Sequence, residues 1–146
     1  MNQLRRNRYW ILVVPEVVVA QRGFEHLDVY HLAERLSDEV WSIVKTWRGV
    51  PRDTVGKQLV RAADGIGANI AEGSGRGTFA DNARFIDMAR GSLYETRHWL
   101  RRAFQRDLLD EGKVKELKAI LDELGPRLNT YRSAIRRQND PRSPKN

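Results

Sequence analysis

Between Asp28 and Arg137 the chain repeats apolar residues at intervals of three and four, the period that places side chains on one face of an α-helix. Val29, Leu32, Ala33, Leu36, Val40, Ile43, Val44 and Trp47 predict a first helix over about 28–47, with Asp28 as its N-cap and Gly49 and Pro51 as its stop. Val55, Leu59, Ala62, Ile66 and Ile70 predict a second, from near Asp53 to Glu72, with Gly73 as a left-handed C-cap. Thr78 caps a long third helix to about Asp107, with Asp81 at the reciprocal capping position and Ile86, Leu93 and Leu100 recurring every seventh residue. Leu117, Leu121, Leu124, Leu128, Tyr131 and Ile135 predict a fourth over about 110–137, in which Gly125-Pro126 should produce a kink or break. Short connections make successive helices antiparallel, so the expected fold is all-α, an up-down-up-down four-helix bundle.

Small residues refine this picture. Gly56, Ala63 and Gly67 share a second face of the second helix, and each helical glycine costs about 1 kcal/mol relative to alanine. A close approach by another helix would offset that cost, either inside the bundle or between subunits. In the third helix Ala89, Thr96 and Ala103 form a small-residue row beside the seam, while Gly91, Ser92 and Glu95 point away from it, which favours an interface between copies of the chain over a merely solvated face. Arg90 and Arg97 fall within about 40° of the seam. Part-buried guanidinium groups need counterions, and Asp64 and Glu72 on the second helix are the expected ion-pair partners.

One domain of 26–138 accounts for all four patterns, and 139–146, with two prolines, reads as a disordered tail. Residues 1–25 read as a flexible or strand-like extension, or as an artefact of the assigned start. Arg5, Arg6 and Arg8 precede an apolar run as in a signal peptide, but Pro15 and Glu16 interrupt it and it is too short to span a bilayer. No membrane association is expected, and the absence of cysteine is compatible with a cytoplasmic location.

Charge adds a functional direction. With 26 Lys and Arg against 19 Asp and Glu the formal net charge is +7, which favours accumulation at polyanions, although 31% charged residues also fit ordinary solvated helices. In an antiparallel bundle Lys45, Arg48, Arg52 and Lys57 come to the same end as Arg101, Arg102, Arg106, Lys113 and Lys115, diluted by Asp53, Asp107, Asp110 and Glu111. These nine are the nucleic-acid-binding candidates, acting on phosphates with little sequence selectivity. Gly56, Gly67, Gly91, Ser92 and Glu95 are the oligomer-interface candidates.

No reaction centre emerges. His26, His31 and His98 make no metal-binding spacing, and no repeated Glu-x-x-His pattern supports a carboxylate metal site. Gly73-Ser74-Gly75-Arg76-Gly77 lacks the preceding strand and the Gly-Lys-Ser/Thr ending of a nucleotide loop. The expectation is a protein that is not an enzyme and carries no cofactor and no metal.

Asp28-Val29-Tyr30, Gly56-Lys57-Gln58-Leu59, Ile66-Gly67-Ala68-Asn69-Ile70-Ala71-Glu72-Gly73, Arg76, Phe85 and Gly91-Ser92-Leu93-Tyr94-Glu95 together resemble a bacterial family, the four-helix bundle proteins encoded in intervening sequences of 23S ribosomal RNA genes. The resemblance spans roughly 24–137. It implies a homopentamer of four-helix protomers without established enzymatic activity. A distantly related branch, the accessory protein of diversity-generating retroelements, is a basic pentamer that binds reverse transcriptase and nucleic acid, so a reverse transcriptase partner transfers only by analogy. The resulting expectation is a homo-oligomer that binds or associates with nucleic acid, RNA favoured; the alternative is a protein-interaction scaffold without direct nucleic-acid contact.

Overall fold

The computed structural model describes residues 23–142; the expectations for residues 1–22 and 143–146 lie outside the described residues. Among the described residues there are four long helices: α1 (Asp28–Val44), α2 (Lys57–Ser74), α3 (Phe79–Gln105) and α4 (Glu111–Gln138). α1 packs on α2, α2 on α3, α3 on α4 and α4 back on α1, so the contacts close a ring in chain order. With short connections, that ring is the antiparallel up-down-up-down bundle expected from the periodicity. Leu36, Leu59, Ile66, Ile70, Ile86, Leu124 and Leu128, all fully buried, fill its axis.

Helix ends depart from the sequence reading in instructive ways. Asp28 is the first helical residue of α1, not its cap; Leu27 occupies that position and offers no side-chain bond. The run leading into α2 starts at Gly49 rather than near Asp53, with a helical turn Gly49–Pro51 and a π-helical stretch Arg52–Gly56. Gly49, at φ +63°, makes the left-handed bend, and Pro51 then sits in a first helical turn, where its missing N–H costs nothing. Thr78 caps α3 as expected, its Oγ1 accepting from Asp81 N at 3.1 Å, and Asp110 caps α4, its Oδ1 accepting from Lys113 N at 2.8 Å. α3 stops at Gln105, two residues early, because Asp107 turns to φ +59°.

Gly73 is not a left-handed cap. α2 continues through Ser74 and is capped by Gly75 at φ −83°. Gly73 is a glycine because α3 presses on it: a Cβ there would stand 2.7 Å from Asn82 Oδ1, 2.9 Å from Phe85 Cβ and 3.2 Å from the Asn82 carbonyl. Neither Phe85 Cβ nor that carbonyl can swing away, so Gly73→Ala is expected to cost about 1–3 kcal/mol by overpacking. A urea melt measures it.

The break expected at Gly125-Pro126 does not occur; α4 is one helix with Pro126 inside it. Two features reconcile proline with the helix. The clash of a proline ring with the preceding Cβ disappears when that residue is Gly125, and the fully buried Leu124 and Leu128 tie both halves to the core. Pro126 itself faces solvent, so water can reach the carbonyl its missing N–H leaves unpaired.

Among the described residues no helix is long and apolar enough to cross a membrane.

Candidate nucleic-acid interface

Antiparallel topology sends the C-terminus of α1, the start of α2, the C-terminus of α3 and the N-terminus of α4 to one end of the bundle. Ser42, Thr46 and Trp47 share a surface cleft there with Leu108, Asp110 and Lys113, so the first and third connections meet. All nine cations expected at this end are there. Seven are exposed, and Arg102 and Lys113 are half-buried.

Their pairing separates this end from the other. Arg52 bonds Asp53 at 2.8 Å and Lys113 bonds Glu116 at 2.9 Å. Each pairing holds the cation's pKa above its ordinary value, through the hydrogen bond first and the opposite charge second. Arg102 donates to the neutral Gln105 at 2.7 Å. Lys45, Arg48, Lys57, Arg101, Arg106 and Lys115 form no ion pair among the described residues. Toward the opposite end Arg76 pairs with Glu72, Arg84 with Asp81 at 4.0 Å, Arg127 with Glu123 at 3.1 Å and Asp28 at 3.4 Å, and Arg142 with Asp140 at 3.2 Å, while Arg137 is exposed and forms no ion pair among the described residues. Six unpaired cations thus gather at one end, beside the unpaired Asp107 and Glu111, whereas most arginines toward the other end are paired.

Asp87 of α3 binds both Arg132 and Arg136 of α4, the latter at 2.8 Å. Burial pushes the Asp87 carboxyl up, but the bonds from Arg132 and Arg136 outweigh it and hold the group below its ordinary value. Since the folded pKa is depressed, the stabilisation is complete above the unfolded value of about 3.9 and fades as pH falls through the lower folded one. The carboxylate is 40% exposed, so Asp87→Asn should cost under about 1 kcal/mol near neutrality. Urea melts at about pH 7 and about pH 3 should show the difference from the parent shrinking in acid. Nothing in local spacing announces this triad, because its partners are 45 and 49 residues apart.

Other placements correct the sequence reading. Arg90 and Arg97 do not pair with Asp64 or Glu72. They stand on the α4 side of α3, 5.4 and 5.7 Å from the Tyr94 ring centre, whereas Glu72 pairs with Arg76 and Asp64 is exposed on α2. Arg76 in turn lies 4.5 Å over the Phe85 ring, closing the α2–α3 turn. Gly56 and Gly67 lie against the protein's own α1 and the turn after it, an approach inside the bundle. A Cβ at Gly56 would meet Val44 at 2.8 Å and Trp47 at 3.2 Å; at Gly67 the nearest atoms are in Tyr30 and Ala33, at 3.6 and 3.8 Å. Ser92 turns inward, so that a Cβ on Gly65 of α2 would meet its Oγ at 3.0 Å. A Cβ on Gly91 would meet nothing within 4 Å and Glu95 is exposed, so these two lie on open surface.

The family model for 23S rRNA-intervening sequence proteins matches residues 25–130, which takes in α1, α2, α3 and most of α4. No curated protein matches the chain.

Proposed function

Since the chain belongs to the 23S rRNA-intervening sequence protein family, we propose that it acts as a non-enzymatic, cytoplasmic homo-oligomer, a pentamer, that binds RNA through the unpaired cations at one end of the bundle. The observation carrying this reading is the gathering of six unpaired cations at one end of the bundle. Lys45, Arg48, Lys57, Arg101, Arg106 and Lys115, none of them in an ion pair among the described residues, project from four chain segments that converge at that end. Such cations attract a phosphate backbone by releasing its condensed counterions, which gives affinity without a sequence code. Repetition around an oligomer would multiply the patch into a rim, and the open Gly91 and Glu95 surface is available for assembly.

The test pairs a mass measurement with binding. Light scattering should give a mass several times the 16.9 kDa of one chain, and the same sample should retain labelled RNA at about 50 mM salt. A monomer at high concentration overturns the assembly, and no retention of RNA or DNA overturns the binding. A scaffold that contacts only protein is the second reading, favoured by the exposed Trp41 and Met88; it predicts an assembled sample that retains neither nucleic acid.

A further inference from the structure

Along α3 the residues Arg90, Tyr94, Arg97, Arg101 and Phe104 follow one another at intervals of four, three, four and three, the spacing of a single helical stripe. The stripe mixes guanidinium groups with aromatic rings. None of its arginines has a carboxylate partner among the described residues, and both rings are open, Tyr94 at 54% and Phe104 at 46% exposure. Facing it on α4 are two clefts. The first, of about 190 Å³, is bounded by Gly125, Pro126 and Asn129 beside Arg90, Tyr94 and Arg97. The second, of about 180 Å³, is almost wholly apolar, bounded by Val114, Leu117 and Lys118 beside Arg101 and Phe104. Gly125 helps to make the first: a Cβ there would stand 3.1 Å from Arg97 Nη2. Arg101 belongs both to the stripe and to the basic end, so the two surfaces are continuous.

We propose that this α3–α4 groove binds single-stranded RNA, with unpaired bases stacking on Tyr94 and Phe104 and phosphates held by Arg90, Arg97 and Arg101. The proposal rests on the RNA-binding function proposed for the basic end and specifies the strand state and the side chains. Cations interspersed with exposed rings suit a single strand, because phosphates follow the cations while any base offers a π-face to a ring. A duplex keeps its bases stacked on one another and can use only the cations. From Arg90 to Phe104 the helix rises about 21 Å, long enough for several nucleotides.

The test is fluorescence anisotropy on the full chain with a labelled, unstructured RNA of about 16 nucleotides, alone and annealed to its complement. The single strand should bind about tenfold more tightly than the duplex. Tyr94→Leu with Phe104→Leu should weaken the single strand about tenfold or more while leaving duplex affinity and the salt slope unchanged. Tyr94→Phe, which keeps the ring, should bind like the parent. Arg97→Gln with Arg101→Gln should instead lower the salt slope by about 1.4. Equal affinity for both strand states, or no effect of the leucine pair, overturns the groove while salt-dependent binding leaves the basic end standing. A leucine pair that changes the assembly mass but not RNA affinity also overturns it, by assigning the stripe to a second copy of the chain. No binding of either RNA removes the underlying reading as well.

Discussion

Replacing Lys45, Arg48, Lys57 and Arg106 together by glutamine is expected to weaken RNA binding about a hundredfold at about 100 mM salt and to lower the salt slope by about 3. The argument is one of charge inventory. These four are exposed and form no ion pair among the described residues, so each is free to displace a counterion from RNA. Their removal should barely disturb folding, since none contributes to the core or to an ion pair. Arg127→Gln with Arg142→Gln removes cations that are already matched by Asp28, Glu123 and Asp140, and RNA affinity should stay within about twofold. A loss from the second set about half as large on a logarithmic scale, in proportion to two charges against four, would mean that net charge alone drives binding. Titration of labelled RNA with each variant decides between these outcomes.

Ile66→Ala should cost about 2–5 kcal/mol of stability, the range for truncating a buried aliphatic side chain in a core that relaxes only partly. Ile66 is fully buried in the middle of α2, the helix that packs against both α1 and α3. Its loss leaves a void in the layer shared by all these elements, and a urea melt should report a lower midpoint. By contrast Met88→Ala, at an exposed position of α3, should fall within about 0.5 kcal/mol of the parent.

The bundle was legible in the sequence because burial follows the helical period directly. Leu93 and Leu100, predicted from a seven-residue repeat, are buried, and so are Leu117, Leu121, Leu124 and Leu128 of α4. Helix ends were harder to read, since they depend on what packs across them. Gly73 has the local signature of a C-cap, yet Phe85 and Asn82, on another helix, set its role. Pro126 carries the signature of a helix break, and it is the adjacent Gly125 together with the buried Leu124 and Leu128 that keeps α4 whole.

The basic end was legible for the same topological reason as the fold: antiparallel helices must bring alternate connections together. Which cations are unspent was not, because neutralisation is a matter of tertiary geometry. The Asp87 pairs with Arg132 and Arg136 link positions far apart in the chain, and Arg90 and Arg97 proved to flank Tyr94 instead of meeting Asp64 or Glu72. Seam proximity alone gave their angle around α3 but not the helix they face. It is that change of side, from α2 to α4, that puts two unpaired arginines on the groove.

The dependence of RNA affinity on salt, measured on the assembled protein from about 50 to about 200 mM, tests the central claim most directly. Binding through the unpaired cations predicts a straight line of log affinity against log salt, falling with a slope of about −4 or steeper for six contacts per protomer. A flat line, or no binding at the lowest salt, would contradict it.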